Sequence, residues 1–233
     1  MLITGARYRA RLERALDRLG ADVLWLSDNP DVDPRLAGHA DLGVLVPGEG
    51  RVVAAPGVRD NLVNSLTNKG YTGRYTVVRS SPQGAVYPAD AGLCVCRAGR
   101  FTICNPKTVD PVAARLLTGE MIAVTQGYTR CAVCVVSDGA IITSDDVIAE
   151  RAADAGLDVL RITPGHIRLD GFPYGFIGGA SIPIARDRVA FTGRLDGHPD
   201  GAAIEAFLRR HGKTPLYLTD EPVFDIGGGV TLP

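Results

Sequence analysis

Long apolar runs are missing from this sequence. No stretch reaches the roughly 18 residues that a bilayer-spanning helix needs, so no membrane partner is expected. Charge of one sign is missing too: 25 Lys and Arg stand against 26 Asp and Glu, a formal net charge of -1, and there is no basic run. That balance argues against nucleic acid or an anionic membrane surface as a partner. The Arg-rich opening, MLITGARYRARLERAL, has neither the apolar segment nor the cleavage site of a secretory signal. Cysteine is sparse and odd in number, at five residues. Without a signal, that count favours reduced thiols and a cytoplasmic protein over a disulfide framework. The glycine clusters Gly178-Gly179 and 227–229 do not precede a helix at phosphate-binding spacing, so they read as sites of close backbone approach and no cofactor is expected.

What the chain does have is enough apolar material for a core: 233 residues, 45% hydrophobic and 22% charged, the composition of a globular protein. Residues 127–163 read GYTRCAVCVVSDGAIITSDDVIAERAADAGLDVLRIT. Two apolar runs, 131–136 and 140–143, flank Asp138-Gly139, the strongest short hairpin signal. Ser144-Asp145-Asp146 then offers acceptors to a helix start, and Val147, Ile148 and Ala152 form its apolar positions. Gly156 stops that helix and 157–162 reads as a third strand. The unit is strand, strand, helix, strand.

Four stretches show this unit whole, beginning at His39, near Ala91, near Thr129 and near Phe172. A fifth starts at Pro222 and has only one strand, VFDIGGGV. The N-terminal piece supplies a helix over 6–19 and a strand over 22–26 with no hairpin before them. Joining the two ends completes five units. The expected fold is α/β: a five-bladed α/β-propeller of ββαβ units in one domain over 1–233, closed by pairing the C-terminal strand with the N-terminal helix and strand.

Aligning the units on their hairpins makes Asp41, Ala91, Cys131, Tyr174 and Asp225 equivalent, with anchors at Val44, Cys94, Cys134, Ile177 and Gly228. Strand alternation adds His39, Thr129 and Phe172 to the same face and turns Asp90 and Arg130 away. Two carboxylates, an imidazole, a thiol and a phenol would then meet at the axis; the same residues would otherwise be strand starts in solvated loops. Cys131 is the only thiol placed there, and Arg130 or a charged His39 would favour its thiolate, against Asp41 and Asp225. Cys94-Val95-Cys96 with Cys131 and Cys134 invites a zinc reading, but on a strand Cys131 and Cys134 face opposite ways, so no metal site is expected. His166, His198 and His211 read as solvated, with Asp200 as a helix N-cap.

The segments GHADLGVLVPGEGRVVAAP, GYTRCAVCVV, GFPYGFIGGAS and DIGGGVTLP resemble the pentein fold of the guanidino-group modifying enzymes. More narrowly, they resemble an uncharacterised bacterial branch of unknown function with that fold. The resemblance implies cysteine chemistry on a small guanidino or amidino compound, by a hydrolase or a transferase. Catalytic members carry the thiol in the last repeat and a His at the opening of a middle repeat. Here 227–233 contains no Cys and 172–174 no His. Asp41 occupies the place of the acidic substrate contact, and Asp225 would be a second. Cys131, His39 and Tyr174 are the catalytic candidates; Asp41, Asp225, Arg130 and Phe172 are the substrate-binding ones. The alternative is a non-catalytic protein that keeps an acidic pocket for a small cationic ligand.

Overall fold

Asp138-Gly139 turns the chain between strands Val133–Ser137 and Ala140–Thr143, which pair antiparallel. Asp145 then caps helix Asp146–Asp154, its carboxylate accepting from the Ile148 N–H at 2.9 Å, which satisfies one of the donors that a helix start leaves unpaired. Gly156, at φ 93°, lets the chain reverse into strand Asp158–Arg161, parallel to Ala140–Thr143. The hairpin's second strand is therefore central in its sheet. All four of its residues are buried, as a strand covered on both faces requires.

The computed structural model, which describes every residue except Glu49, repeats this unit in five three-stranded sheets. One sheet comprises Val44–Gly48, Arg51–Ala54 and Thr76–Arg79, with helix Pro56–Asn68 as the crossover. Another comprises Cys96–Ala98, Phe101–Cys104 and Glu120–Ala123. Its helix, Pro111–Ala114, is a single turn that starts where Asp110 accepts from the N–H groups of Val112 and Ala113, shorter than the helix to Leu117 that Asp110-Pro111 suggests in the sequence. A further sheet comprises Ser181–Ala185, Arg188–Phe191 and Thr214–Tyr217, crossed over by helix Gly201–Arg210. In the last sheet Val230–Thr231 pairs antiparallel with Leu2–Gly5, which pairs in parallel with Val23–Leu26. No helix among the described residues is long and apolar enough to cross a membrane.

Two expectations need correction. No strand was expected at residues 2–5, yet Leu2–Gly5 is the central strand of its sheet. Its hairpin partner lies at the other end of the chain, so no local turn announces it. The second correction is one of register. The first strands of the sheets begin at Val44, Cys96, Val133, Ser181 and Val230, so the anchors at Cys94, Cys134, Ile177 and Gly228 are displaced by one to four residues. The residues ahead of those strands are not extended: Ala40–Gly43 and Thr129–Ala132 are single helical turns, and residues 177–180 form a turn. A helical turn advances about 1.5 Å per residue against about 3.3 Å on a strand, so alternation does not apply there.

All five first strands wall one cavity of about 400 Å³, contributing Val44 and Val46, Arg97, Val135, Pro183 and Thr231. The crossover helices bury Leu62, Ile148 and Ile204, and the N-terminal helix Arg9–Arg18 buries Leu12 and Leu16. These side chains are fully enclosed, which at roughly 1.5–3 kcal/mol each supplies much of the packing energy.

Candidate functional site

Counting back from each first strand reveals two layers of side chains. Two residues before the strands stand Leu42, Cys94, Cys131, Gly179 and Gly228; five residues before them stand His39, Ala91, Tyr128, Phe176 and Asp225. At the helical turns Ala40–Gly43 and Thr129–Ala132 three residues is about one turn, so His39 with Leu42, and Tyr128 with Cys131, project from one face. Backbone bonds tie the inner layer: Gly179 N–H donates to Cys131 O at 2.8 Å and Gly228 N–H to Gly179 O at 2.7 Å. Glycine is required there. A Cβ on Gly179 would overlap the Asp225 carboxylate, and one on Gly228, at φ 59°, would lie 2.7 Å from Gly178 O.

Above these layers opens a second cavity of about 410 Å³, walled by His39, Tyr128, Cys131, Phe172, Phe176 and Asp225, with Leu36, Leu42 and Tyr174 among its other contacts. The groups at its floor and just behind it are deeply buried: His39 is 3% exposed, Cys131 4% and Asp225 4%, with Asp41, behind Cys131, at 1%. Cys131 Sγ–H donates to Asp41 Oδ2 at 2.7 Å, while Cys94 Sγ lies 3.6 Å from the same oxygen and 3.8 Å from Cys131 Sγ. Thr129 holds the two thiol segments together. Its hydroxyl lies 2.9 Å from Cys94 O and 2.8 Å from Ile103 O and accepts from Cys96 N–H at 3.1 Å.

His39 Nδ1 stands 3.9 Å from Asp225 Oδ1. Asp225 is held by backbone, accepting from Gly227 N–H and Phe176 N–H, both at 2.8 Å. Two buried atoms of these groups have no hydrogen-bond partner, His39 Nε2 and Asp41 Oδ1. Burial pushes the Asp41 carboxyl above its usual range, with His39 and the Cys131 hydrogen bond opposing. Cys131 is pushed well above an ordinary thiol by its hydrogen bond with Cys94, then by burial and by the Asp41 charge. Burial likewise raises Cys94. Tyr128 donates to Asp90 Oδ2 at 2.7 Å.

The structure brings His39, Cys131, Asp225 and Phe172 to this cavity, while Asp41 does not line it and lies behind Cys131, bonded to its thiol. Tyr174 reaches only the cavity's rim, 43% exposed and edge-on to Phe176. Arg130 is elsewhere. It points away from Cys131, lines the strand-walled cavity and donates to Gly229 O at 2.8 Å, because the two residues sit next to each other on a helical turn. Cys131 is also not the only axial thiol: Cys94 joins it, since both lie two residues before a strand. Cys96 and Cys134 pack in separate apolar clusters. The Tyr128–Asp90 pair went unnoticed in the sequence, where the slipped register hid Tyr128. His198, read as solvated, is 5% exposed, with its pKa lowered by burial. Asp200 precedes its helix without capping it, accepting instead from Thr163 N–H at 2.6 Å.

A family profile matches residues 3–230. The chain belongs to DUF6873, a family of unknown function. No curated protein matches it. Among solved structures, this DUF6873 chain is similar to DDAH from Pseudomonas aeruginosa complexed with citrulline, with a TM-score of 0.57, 12% identity, and 98% of this chain and 95% of that chain covered. It is similar to a dimethylarginine dimethylaminohydrolase in an adduct with S-methyl-L-thiocitrulline, with a TM-score of 0.58, 13% identity and coverage of 98% and 95%. It also resembles SxtG, an amidinotransferase from Microseira wollei, with a TM-score of 0.54, 12% identity and coverage of 92% and 80%. At these identities the likeness is one of fold, and the fold is the α/β pentein fold.

Proposed function

We propose that this DUF6873 protein is a single closed ring of five units whose acidic axial cavity takes a small guanidino or amidino cation. We further propose that Cys131 acts on the central carbon of that cation, as a hydrolase or transferase. The pairing of Val230–Thr231 with Leu2–Gly5 supports the closure. The observation that carries the ligand class is Asp41 Oδ1, a buried carboxylate oxygen without a partner, directly behind the Cys131 thiol that lines a cavity walled by Tyr128, Phe172 and Phe176. Burying an ionised carboxylate without a counter-charge costs several kcal/mol. A planar organic cation would offset that cost, and the surrounding rings favour one through their faces.

The same cation would change Cys131. Two of the effects that raise its pKa are the Asp41 and Asp225 charges, and a positive ligand between them cancels both. The thiol proton passes to Asp41 Oδ2, the Sγ–C bond forms, and the departing amine takes that proton from Asp41 as its bond to carbon breaks. Water then breaks the Sγ–C bond, returning one proton to Sγ and releasing one to solvent; in a transferase a neutral acceptor amine breaks it instead, giving its one proton to Sγ and keeping the charge on the new guanidinium. His39 and Asp225 position the cation, and Tyr174 closes the rim.

A second reading, non-catalytic binding, is favoured by the protonated state in which Cys94, burial and Asp41 hold Cys131. One experiment separates the two. With chelator present, a haloacetamidine should alkylate Cys131 at mildly acidic pH far faster than neutral iodoacetamide does, and Asp41→Asn should erase the preference. Equal rates for the two reagents would rule out the thiol chemistry. A thermal-shift screen of guanidino compounds should still show stabilisation if the pocket only binds, and stabilisation that survives Asp41→Asn would overturn the pocket as well.

A further inference from the structure

The floor of the cavity and the groups just behind it hold more ligating atoms than an organic cation needs. His39, Asp41 and Cys131 each present one donor atom, all within 4.8 Å of one another and all buried. Cys94 Sγ adjoins two of them. We propose that these four side chains form a binding site for a thiophilic divalent cation, of which Zn²⁺ is the type.

The distances carry the argument. Two sulfurs about 2.3 Å from a tetrahedral ion stand about 3.8 Å apart, and a sulfur and a carboxylate oxygen on the same ion about 3.5 Å apart. Cys94 and Cys131 Sγ are 3.8 Å apart, and Cys94 Sγ is 3.6 Å from Asp41 Oδ2. The third edge, Cys131 Sγ to Asp41 Oδ2, is shorter at 2.7 Å because it is a hydrogen bond. An ion replaces that proton and lengthens the edge. The imidazole completes a donor set of two sulfurs, one oxygen and one nitrogen, suited to a borderline-soft metal over Mg²⁺ or Ca²⁺.

An independent feature points the same way. Asp41 Oδ1 and His39 Nε2 are buried polar atoms without partners, and native structures rarely leave such atoms unpaired. Leu36 and Leu42 pack around the thiols, giving the apolar surround that strengthens metal binding. Access runs through the aromatic cavity, which His39 and Cys131 both line. Binding would release the protons of Cys131 and Cys94 to solvent as their bonds to the ion form. The inference does not depend on the amidino reading. It does set the two ligands in competition for Asp41.

The test is a titration of the chelator-treated, reduced protein with Co²⁺ and then Zn²⁺, no guanidino compound being present. One equivalent of Co²⁺ should give the intense visible bands of a tetrahedral site together with sulfur-to-cobalt charge transfer in the near ultraviolet, and Zn²⁺ should displace it. Cys131→Ser should weaken Zn²⁺ binding by roughly 100-fold or more, given that outer-shell changes alone cost about 10–100-fold. Cys134→Ser, in a separate apolar cluster, should leave binding unchanged. Absence of one-to-one binding, or cobalt bands without the sulfur transition, would overturn the proposal on the wild-type protein alone, whether or not the Ser variant folds. Undiminished affinity in a folded Cys131→Ser variant would overturn it too. Since alkylation by the amidine is measured with chelator and metal binding without any amidine, either reading can fail while the other stands.

Discussion

Two cavities of nearly equal size, about 400 and about 410 Å³, lie on either side of the Thr129–Ala132 turn, and they share no lining residue. The first is walled by strands, with two arginines that each donate to a backbone carbonyl: Arg130 to Gly229 O and Arg97 to Pro47 O. The second is walled by the segments that precede the strands; its imidazole, His39, and the carboxylate behind its thiol, Asp41, carry atoms with no partner. Strands hold the five sheets together, and their backbone polar groups are paired in doing so. The segments leading into them are where unspent chemistry collects, as loops on a rigid scaffold commonly do. One adjacent pair, Arg130 and Cys131, shows the division within a single helical turn.

The harshest way to break this contrast is to fill the seam between the cavities. Gly179→Ala places a methyl group where the Asp225 carboxylate stands, and should cost about 3 kcal/mol or more. Gly139→Ala, in a hairpin turn with nothing within 4 Å of the added Cβ, should shift stability by no more than about 0.5 kcal/mol. Urea unfolding of the two variants gives the comparison directly. Similar losses in both would mean that the two cavities are not separated by close backbone packing.

The next test removes one engaged group from the strand side. Arg130→Met leaves the buried Gly229 carbonyl without its donor, an expected loss of about 1–3 kcal/mol. Stabilisation by a guanidino ligand should be retained, because Arg130 does not line that cavity. Loss of the ligand effect with stability intact would reverse the roles assigned to the two sides.

This division also explains what could be read from the sequence. Asp138-Gly139, Asp145 and Gly156 each act locally, on neighbours within a few residues, so the repeated unit was legible. Leu2–Gly5 was not, since its antiparallel partner is Val230–Thr231 and no short-range pattern links them. The site was half legible. His39, Cys131 and Asp225 do share a cavity, with Asp41 behind Cys131, but the rule that grouped them assumed extended backbone. Once the preceding residues turn helically, Cys94 comes beside Cys131, whereas Arg130 points away under either backbone. The signal that would have found Cys94 is the pair Gly179 and Gly228, which stand at the same offset from their strands and mark the inner layer.

A smaller effect separates the unpaired carboxylate from its neighbours by pH. Burial raises the folded pKa of Asp41, so the folded state holds that proton more tightly than the unfolded chain does. The resulting stability is fully present below the unfolded value, about 4, and is lost as pH rises through the folded pKa. Asp41→Asn should therefore be more stable than the parent protein at pH 7, with the gap closing on acidification towards that value. Denaturant midpoints of both proteins at the two pH values measure it, since the other acidic groups cancel in the difference. A gap that widens on acidification would contradict the assignment.

The mildest prediction concerns the rim, where the loop-walled cavity meets solvent. Tyr174 is 43% exposed and touches Phe176 edge-on, with ring centroids 6.4 Å apart. Little packing is lost in Tyr174→Ala, so its unfolding midpoint should stay close to that of the parent. A bound organic cation would lose one partly solvated aromatic face, about 0.5–1 kcal/mol, which is a few-fold rise in Kd. The same change at Phe176, one helical turn above Gly179 and less exposed, should weaken the ligand more and destabilise the fold as well. If Tyr174→Ala instead abolished alkylation of Cys131 by the amidine while leaving ligand affinity intact, the phenol would belong to the chemistry and not to the rim, and the set of four buried groups would be incomplete without it.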